Sequence, residues 1–228
     1  MLKDGPEAVV QIMATIVTFG DSVTYGVHKG VTESETYSAV TETQLREQGI
    51  AVAVVRQGVS GENTTGGLQR LPEVLALRPQ YLTIMYGLND AYLAGEQENT
   101  WEVSPEQYAH NLTVMITRCR DAGIIPVLLT PNPMSPWGSS TESFGHRPPY
   151  STVGDINFML QRYVKAVIQV GQDEEAPVID IYDFLLTHGV HEDAMNRYLI
   201  DGVHPTSTGH RLIALRVTEF FLQQLRGH

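Results

Sequence analysis

Five short apolar runs, each cut off abruptly by polar residues and separated by longer amphipathic stretches, constrain this chain more than any other feature. They lie at 15–19, 51–56, 81–86, 125–130 and 178–182 and are rich in β-branched residues. None alternates cleanly between apolar and polar, so the periodicity predicts strands covered on both faces. Helical spacing predicts helices at about 35–48, 66–77, 105–121, 154–171 and 207–225. In the third of these Ser104 is a natural N-cap, Pro105 suits the first turn, and Gln107 is placed to complete a capping box. Tyr108, Leu112, Met115, Ile116 and Cys119 then fall on one face, and Gly123 ends the pattern. Parallel strands need crossovers, so this rhythm implies an α/β fold: a parallel sheet sandwiched between helices, in one domain spanning residues 1–228.

The formal charge of −11 argues against nucleic acid and anionic membrane surfaces, both polyanions, and favours an uncharged or cationic small molecule. Cys119 is the only cysteine, so no intrachain disulfide can form, and it is expected as a small buried apolar group. The opening "MLKDGPEAVVQIMATIV" has acidic residues and a proline where a signal peptide needs a basic patch and a long apolar stretch. No run approaches the roughly 18 apolar residues that span a bilayer. A cytoplasmic protein without integral membrane association is the expectation. Asn63 and Asn111 begin N-x-T sequons, which carry meaning only with export.

In open parallel sheets the ligand sits beyond the carboxyl ends of the strands, so function is to be sought in the polar segments that follow them. After the first run comes "GDS", residues 20–22. Ser22 is either the cap of a following helix or a presented nucleophile, and Asp21 fits an Asx-type turn. "DGVHP", residues 201–205, is either a solvated surface loop or a device in which Asp201 accepts from His204 Nδ1 and leaves Nε2 to take a proton. A serine hydroxyl is a poor nucleophile without such a base. "GVSG", residues 58–61, and "GLND", residues 87–90, read as turns, yet a backbone N–H and an Asn amide are also what a developing oxyanion requires. Ser60 reads as structural, and Asp90 as a supporting turn residue.

Taken together and in this order, the four segments resemble the SGNH or GDSL family of serine esterases and lipases. The resemblance runs from about residue 15 to 222 and identifies Gly20-Asp21-Ser22-Val23, Gly58-Val59-Ser60-Gly61, Gly87-Leu88-Asn89-Asp90 and Asp201-Gly202-Val203-His204 with the family's blocks. It implies Ser22 as nucleophile, Asp201 and His204 as acid and base, and the Ser22 and Gly61 amides with Asn89 as the oxyanion hole. It also implies a five-stranded, flavodoxin-like three-layer α/β/α sandwich. No metal or other cofactor is called for. Val23 replaces the leucine of the family name, and Arg56 stands where many relatives carry an asparagine that braces the second block. The implied activity is hydrolysis of a small-molecule ester through an acyl-enzyme. A carbohydrate acetyl esterase with the same machinery, or a non-catalytic binding module on the same fold, are the alternatives.

His188, His191, Glu192 and Asp193 have spacings a metal could use, though a solvated helix end is the plainer reading. His210 is expected on the first turn of the last helix as a structural histidine. The segment 131–152 is long for a βα connection, and Met134 and Trp137 within it are candidate walls of a substrate pocket. Trp101 is a further candidate. Either tryptophan could equally be ordinary packing.

Overall fold

The computed structural model describes residues 14–91, 93–94, 100–135, 138, 155, 157–190 and 197–226. Five strands, β1 (Ala14–Gly20), β2 (Val52–Gly58), β3 (Tyr81–Met85), β6 (Ile125–Leu129) and β7 (Val178–Ile179), form one sheet in the order β2-β1-β3-β6-β7. Every pairing in it is parallel. A two-stranded antiparallel ribbon, β4 (Leu93–Ala94) and β5 (Thr100–Trp101), follows β3. Among the described residues there are seven α-helices: α1 (Ser22–Tyr25), α2 (Tyr37–Glu47), α3 (Thr64–Leu75), α4 (Pro105–Asp121), α5 (Leu160–Asp173), α6 (Ile181–Thr187) and α7 (Ser207–Arg226). Among the described residues, none of these is long and apolar enough to cross a membrane.

Two cores explain why the strands lack polar alternation. Phe19, Leu82, Ile84 and Leu128 pack against Leu71, Tyr108, Leu112 and Tyr163 of α3, α4 and α5. Ile16, Tyr81, Met85 and Val127 face the other way, onto Tyr37, Leu45, Ile213 and Phe221 of α2 and α7. Both faces of the sheet are therefore apolar, and the α/β/α layering follows. Cys119 is buried in the first core, which pushes its thiol up to about 12 and leaves it inert at neutral pH.

Local chemistry sets the boundaries that differ from expectation. Helix α3 begins at Thr64 rather than 66 because the Asn63 side chain accepts from Thr65 and Gly66 N–H at 3.1 Å. Gly67 is tolerated within it because a Cβ there would meet Tyr86 Oη at 2.5 Å. The fifth strand is cut to two residues. Thr130 Oγ1 accepts from Ile181 and Tyr182 N–H, and Asp180 caps Asp183, so the chain turns into α6 where a continued strand was expected. The first turn of α4 is also simpler than a capping box: Ser104 accepts from Gln107 N–H, but the Gln107 amide donates to Asn111 instead of reaching back.

Candidate active site

The centre is built at the carboxyl end of β1. Gly20 lies in register with Gly58 of β2 and Met85 of β3, so the segments after these two strands flank the one after β1. The approach is close. A Cβ on Gly20 would stand 2.3 Å from Met85 O, and one on Gly58 would stand 2.0 Å from Tyr25 N. Asp21 caps a single helical turn through Val23 N–H at 2.9 Å, and Gly26 closes it at φ 73°. Ser22 is thus the first residue of α1, 7% exposed.

The segment 199–206 reaches the same place from the far end of the chain. It is folded by an Ile200 N–H bond to His204 O at 2.8 Å and is tied to the loop after β6 by Ser135 N–H to Gly202 O and Asn132 Nδ2 to Val203 O. Gly138 lies against it so tightly that a Cβ would stand 1.8 Å from Asp201 O. Asp201 Oδ1 accepts from the Val203 and His204 N–H groups at 3.1 and 2.9 Å, and Oδ2 accepts from His204 Nδ1 at 2.7 Å. Burial alone would raise this carboxyl, but the hydrogen bonds from the His204 ring and backbone overcome it and hold Asp201 well below the usual range. A carboxylate only accepts, so Nδ1 carries the proton and the Nε2 lone pair faces Ser22 Oγ at 3.0 Å.

Gly61 and Asn89 stand on the flanking loops. Val59 N–H donates to Gly20 O at 3.0 Å, Gly61 turns at φ 78°, and nothing lies within 4 Å of where its Cβ would be. Asn89 donates one amide hydrogen to Glu62 O at 2.9 Å, leaving the other. Glu62 is itself clamped by Arg70 Nε and Nη2 at 2.9 and 2.6 Å and by Tyr86 Oη at 2.5 Å. Asp90 is fully buried and accepts from the Thr64 N–H and hydroxyl, while Asn111 donates to Thr64 Oγ1. Arg56 hydrogen-bonds Tyr25 O and pairs with Glu33, so it braces the turn after α1.

The structure therefore brings Ser22, His204 and Asp201 into one hydrogen-bonded row. It sets the Gly61 and Asn89 loops on either side of β1. Met134 is half-buried against the α4 and α5 core, and Asn157 bonds its backbone N–H and C=O. Trp137 lies outside the described residues, as do His191, Glu192 and Asp193. His188 ends α6 with Nδ1 donating to Phe184 O, and no group of three metal-ligating side chains occurs among the described residues. His210 is buried on α7, its Nδ1 accepting from Tyr37 N–H; burial lowers it to about 4. No local motif in the sequence marks the Glu62–Arg70–Tyr86 clamp or His28, which packs on the ring of His204.

A description of the GDSL-like lipase/acylhydrolase family matches residues 18–212. The chain belongs to that family. This GDSL-family chain is 26% identical over 170 residues to an isoamyl acetate-hydrolyzing esterase 1 homolog of Bos taurus, covering 70% of the chain and 65% of that protein. It is 32% identical over 116 residues to esterase TesA of Pseudomonas aeruginosa, covering 50% of the chain and 53% of TesA. It thus spans about half to two thirds of the length of such curated relatives. Among solved structures it is similar to a lipase/acylhydrolase from Enterococcus faecalis, at TM-score 0.73 and 26% identity over 93% of this chain and 97% of that one. The acetyl xylan esterase AlAXEase shares the fold at TM-score 0.69 and 18% identity, covering 89% and 97%.

Asp21 supplies a test of the buried electrostatics. Burial pushes its carboxyl from an ordinary 3.8 up to about 7, against the Val23 N–H bond and with the help of the Asp90 charge. The folded protein then holds a proton that the unfolded chain has released. This contribution is full below about pH 4 and is lost as pH rises through 7, on the order of 4 kcal/mol in all. Asp21→Asn keeps an acceptor for Val23 but cannot ionise. Its melting temperature relative to wild type is expected to climb between pH 4 and 7 and to level off above 8. A difference that stays flat across that range refutes the buried protonated carboxyl. His210 titrates in both proteins and cancels.

Proposed function

We propose that this chain is a serine esterase that cleaves carboxylic esters through an acyl-enzyme. The observation that carries the reading is the row Ser22 Oγ, His204 Nε2, His204 Nδ1, Asp201 Oδ2, with links of 3.0 and 2.7 Å. Ser22 attacks the ester carbonyl as His204 accepts its proton, and ionised Asp201 compensates the imidazolium. The Ser22 and Gly61 N–H groups and the second Asn89 hydrogen stabilise the tetrahedral oxyanion, each such donor being worth about 10²–10³ in turnover. The Arg70–Glu62–Tyr86 clamp holds the peptide to which Asn89 is tied. His204 then gives its proton to the leaving alcohol, and water repeats the sequence on the acyl-enzyme to release the acid.

The intact row also speaks against a binding module without catalysis, for which an aligned lone pair on a serine hydroxyl would have no use. Short acyl groups are the first substrates to try, given the acetate named for the bovine relative. Acetylated sugars are the second class, given the xylan esterases that share the fold. The deciding experiment treats the protein with a fluorophosphonate and maps the adduct, alongside turnover of alkyl acetates, longer acyl esters and acetylated xylooligosaccharides. Labelling at Ser22 with hydrolysis of at least one class is the expected result. No adduct at Ser22 removes the reading.

A further inference from the structure

His28 belongs to no block that marks the family, yet it touches two members of the catalytic row. Its Nε2 lies 2.9 Å from Ser22 O. A carbonyl only accepts, so Nε2 carries a hydrogen and donates it there. The same carbonyl takes the Gly26 N–H at 2.9 Å, and the ring is thereby anchored to the turn that presents Ser22. On its other side, the His28 ring lies against the His204 ring, centroids 4.1 Å apart and planes inclined by 40°. Tyr25 meets His28 edge-on at 6.0 Å, and Asp201 and buried His210 are the remaining titratable groups that bear on it.

We propose that His28 is a positioning residue for the base: an uncharged imidazole, fastened to the Ser22 main chain, that holds the His204 ring in line for catalysis. This rests on the serine esterase reading. In the free protein His204 is fixed by bonds at both nitrogens. Once Ser22 Oγ is acylated it has no hydrogen to donate to Nε2, and the ring keeps the Asp201 bond and the face of His28. A ring held at one nitrogen can swing about that bond; the tilted ring contact with His28 stops it and keeps Nε2 aimed where water must be activated. The charge state of His28 matters equally. His204 becomes cationic each time it takes a proton, and a second cation 4.1 Å away would oppose that step. Burial depresses His28 and so favours the neutral ring the role needs.

The test compares His28→Ala, His28→Phe and wild type on one ester. His28→Ala, which removes the face, is expected to lower kcat by about ten- to a hundredfold, the range that a small misplacement costs. KM should stay within about threefold, since the ring is assigned to the base rather than to ester binding. His28→Phe keeps a flat ring and cannot ionise. At pH 8 it should turn over faster than His28→Ala but short of wild type, since the ring is restored and the bond to Ser22 O is not. Its acid limb should reflect one protonation, where the wild-type limb reflects two. An alanine variant with unaltered kcat, or a phenylalanine variant whose acid limb is as steep as wild type, overturns the proposal. Should the alanine variant fail to fold, the acid limb of His28→Phe decides alone. Wild type that labels at Ser22 and hydrolyses ester while both variants match it sinks this inference only. Wild type that does neither overturns it together with the esterase reading.

Discussion

Replacing Ser22 by alanine is expected to lower ester turnover by about 10⁵–10⁶-fold, and adding His204→Ala to it should cost almost nothing more. The two side chains act as one unit. Ser22 Oγ donates to His204 Nε2 at 3.0 Å, and neither has a chemical role in the proposed reaction without the other. The alanine should not disturb the fold. Asp21, not Ser22, caps α1, and the Ser22 main chain keeps its bonds from Gly26 and His28. Turnover of an ester by the two single variants and the double variant, with melting temperatures alongside, checks this. Additive losses, or a folded Ser22→Ala that stays within tenfold of wild type, would mean that another group does the chemistry.

Asp201→Asn should lower turnover by about 10⁴-fold while leaving the protein folded. The reason is a tautomer that the surrounding hydrogen bonds dictate. Asp201 Oδ1 accepts from two backbone N–H groups, Val203 and His204, at 3.1 and 2.9 Å. An asparagine must keep its carbonyl oxygen there, because its NH₂ would collide with those donors. The NH₂ is therefore left facing His204 Nδ1. That nitrogen must now accept, so Nε2 carries the proton and can no longer take one from Ser22. Turnover measured at neutral pH decides the matter, and an asparagine variant within tenfold of wild type would show that His204 reaches its working tautomer by another route.

Much of this was legible before any coordinate. The sheet could be anticipated because strands buried on both faces leave continuous apolar runs, and four of the five strands fall within two residues of expectation at each end. Ser104, with Pro105 behind it, announced α4 to the residue, since capping is settled within one turn of chain. The departures share a cause. The fifth strand gave way to α6 because Thr130, some fifty positions earlier, accepts from Ile181 and Tyr182 N–H. Helix α3 carries two glycines because one of them lies against Tyr86. In each case a distant partner outweighed the local preference.

The site divides in the same way. Ser22, Gly61, Asn89, Asp201 and His204 could be named from the chain alone, because a family block is a local string and each closes a strand or shapes a turn. His28, Glu62, Arg70 and Tyr86 sit in no such string, and their spacing carries no signal. They acquire meaning only when β2 and β3 settle on either side of β1 and bring 58–62 and 86–90 beside residue 22. Periodicity and capping depend on neighbours a few residues apart and are written into the order of the amino acids. The 3.0 Å between Ser22 and a base 182 positions away, and the ring that packs on that base, are decided by the sheet and the loops it draws together.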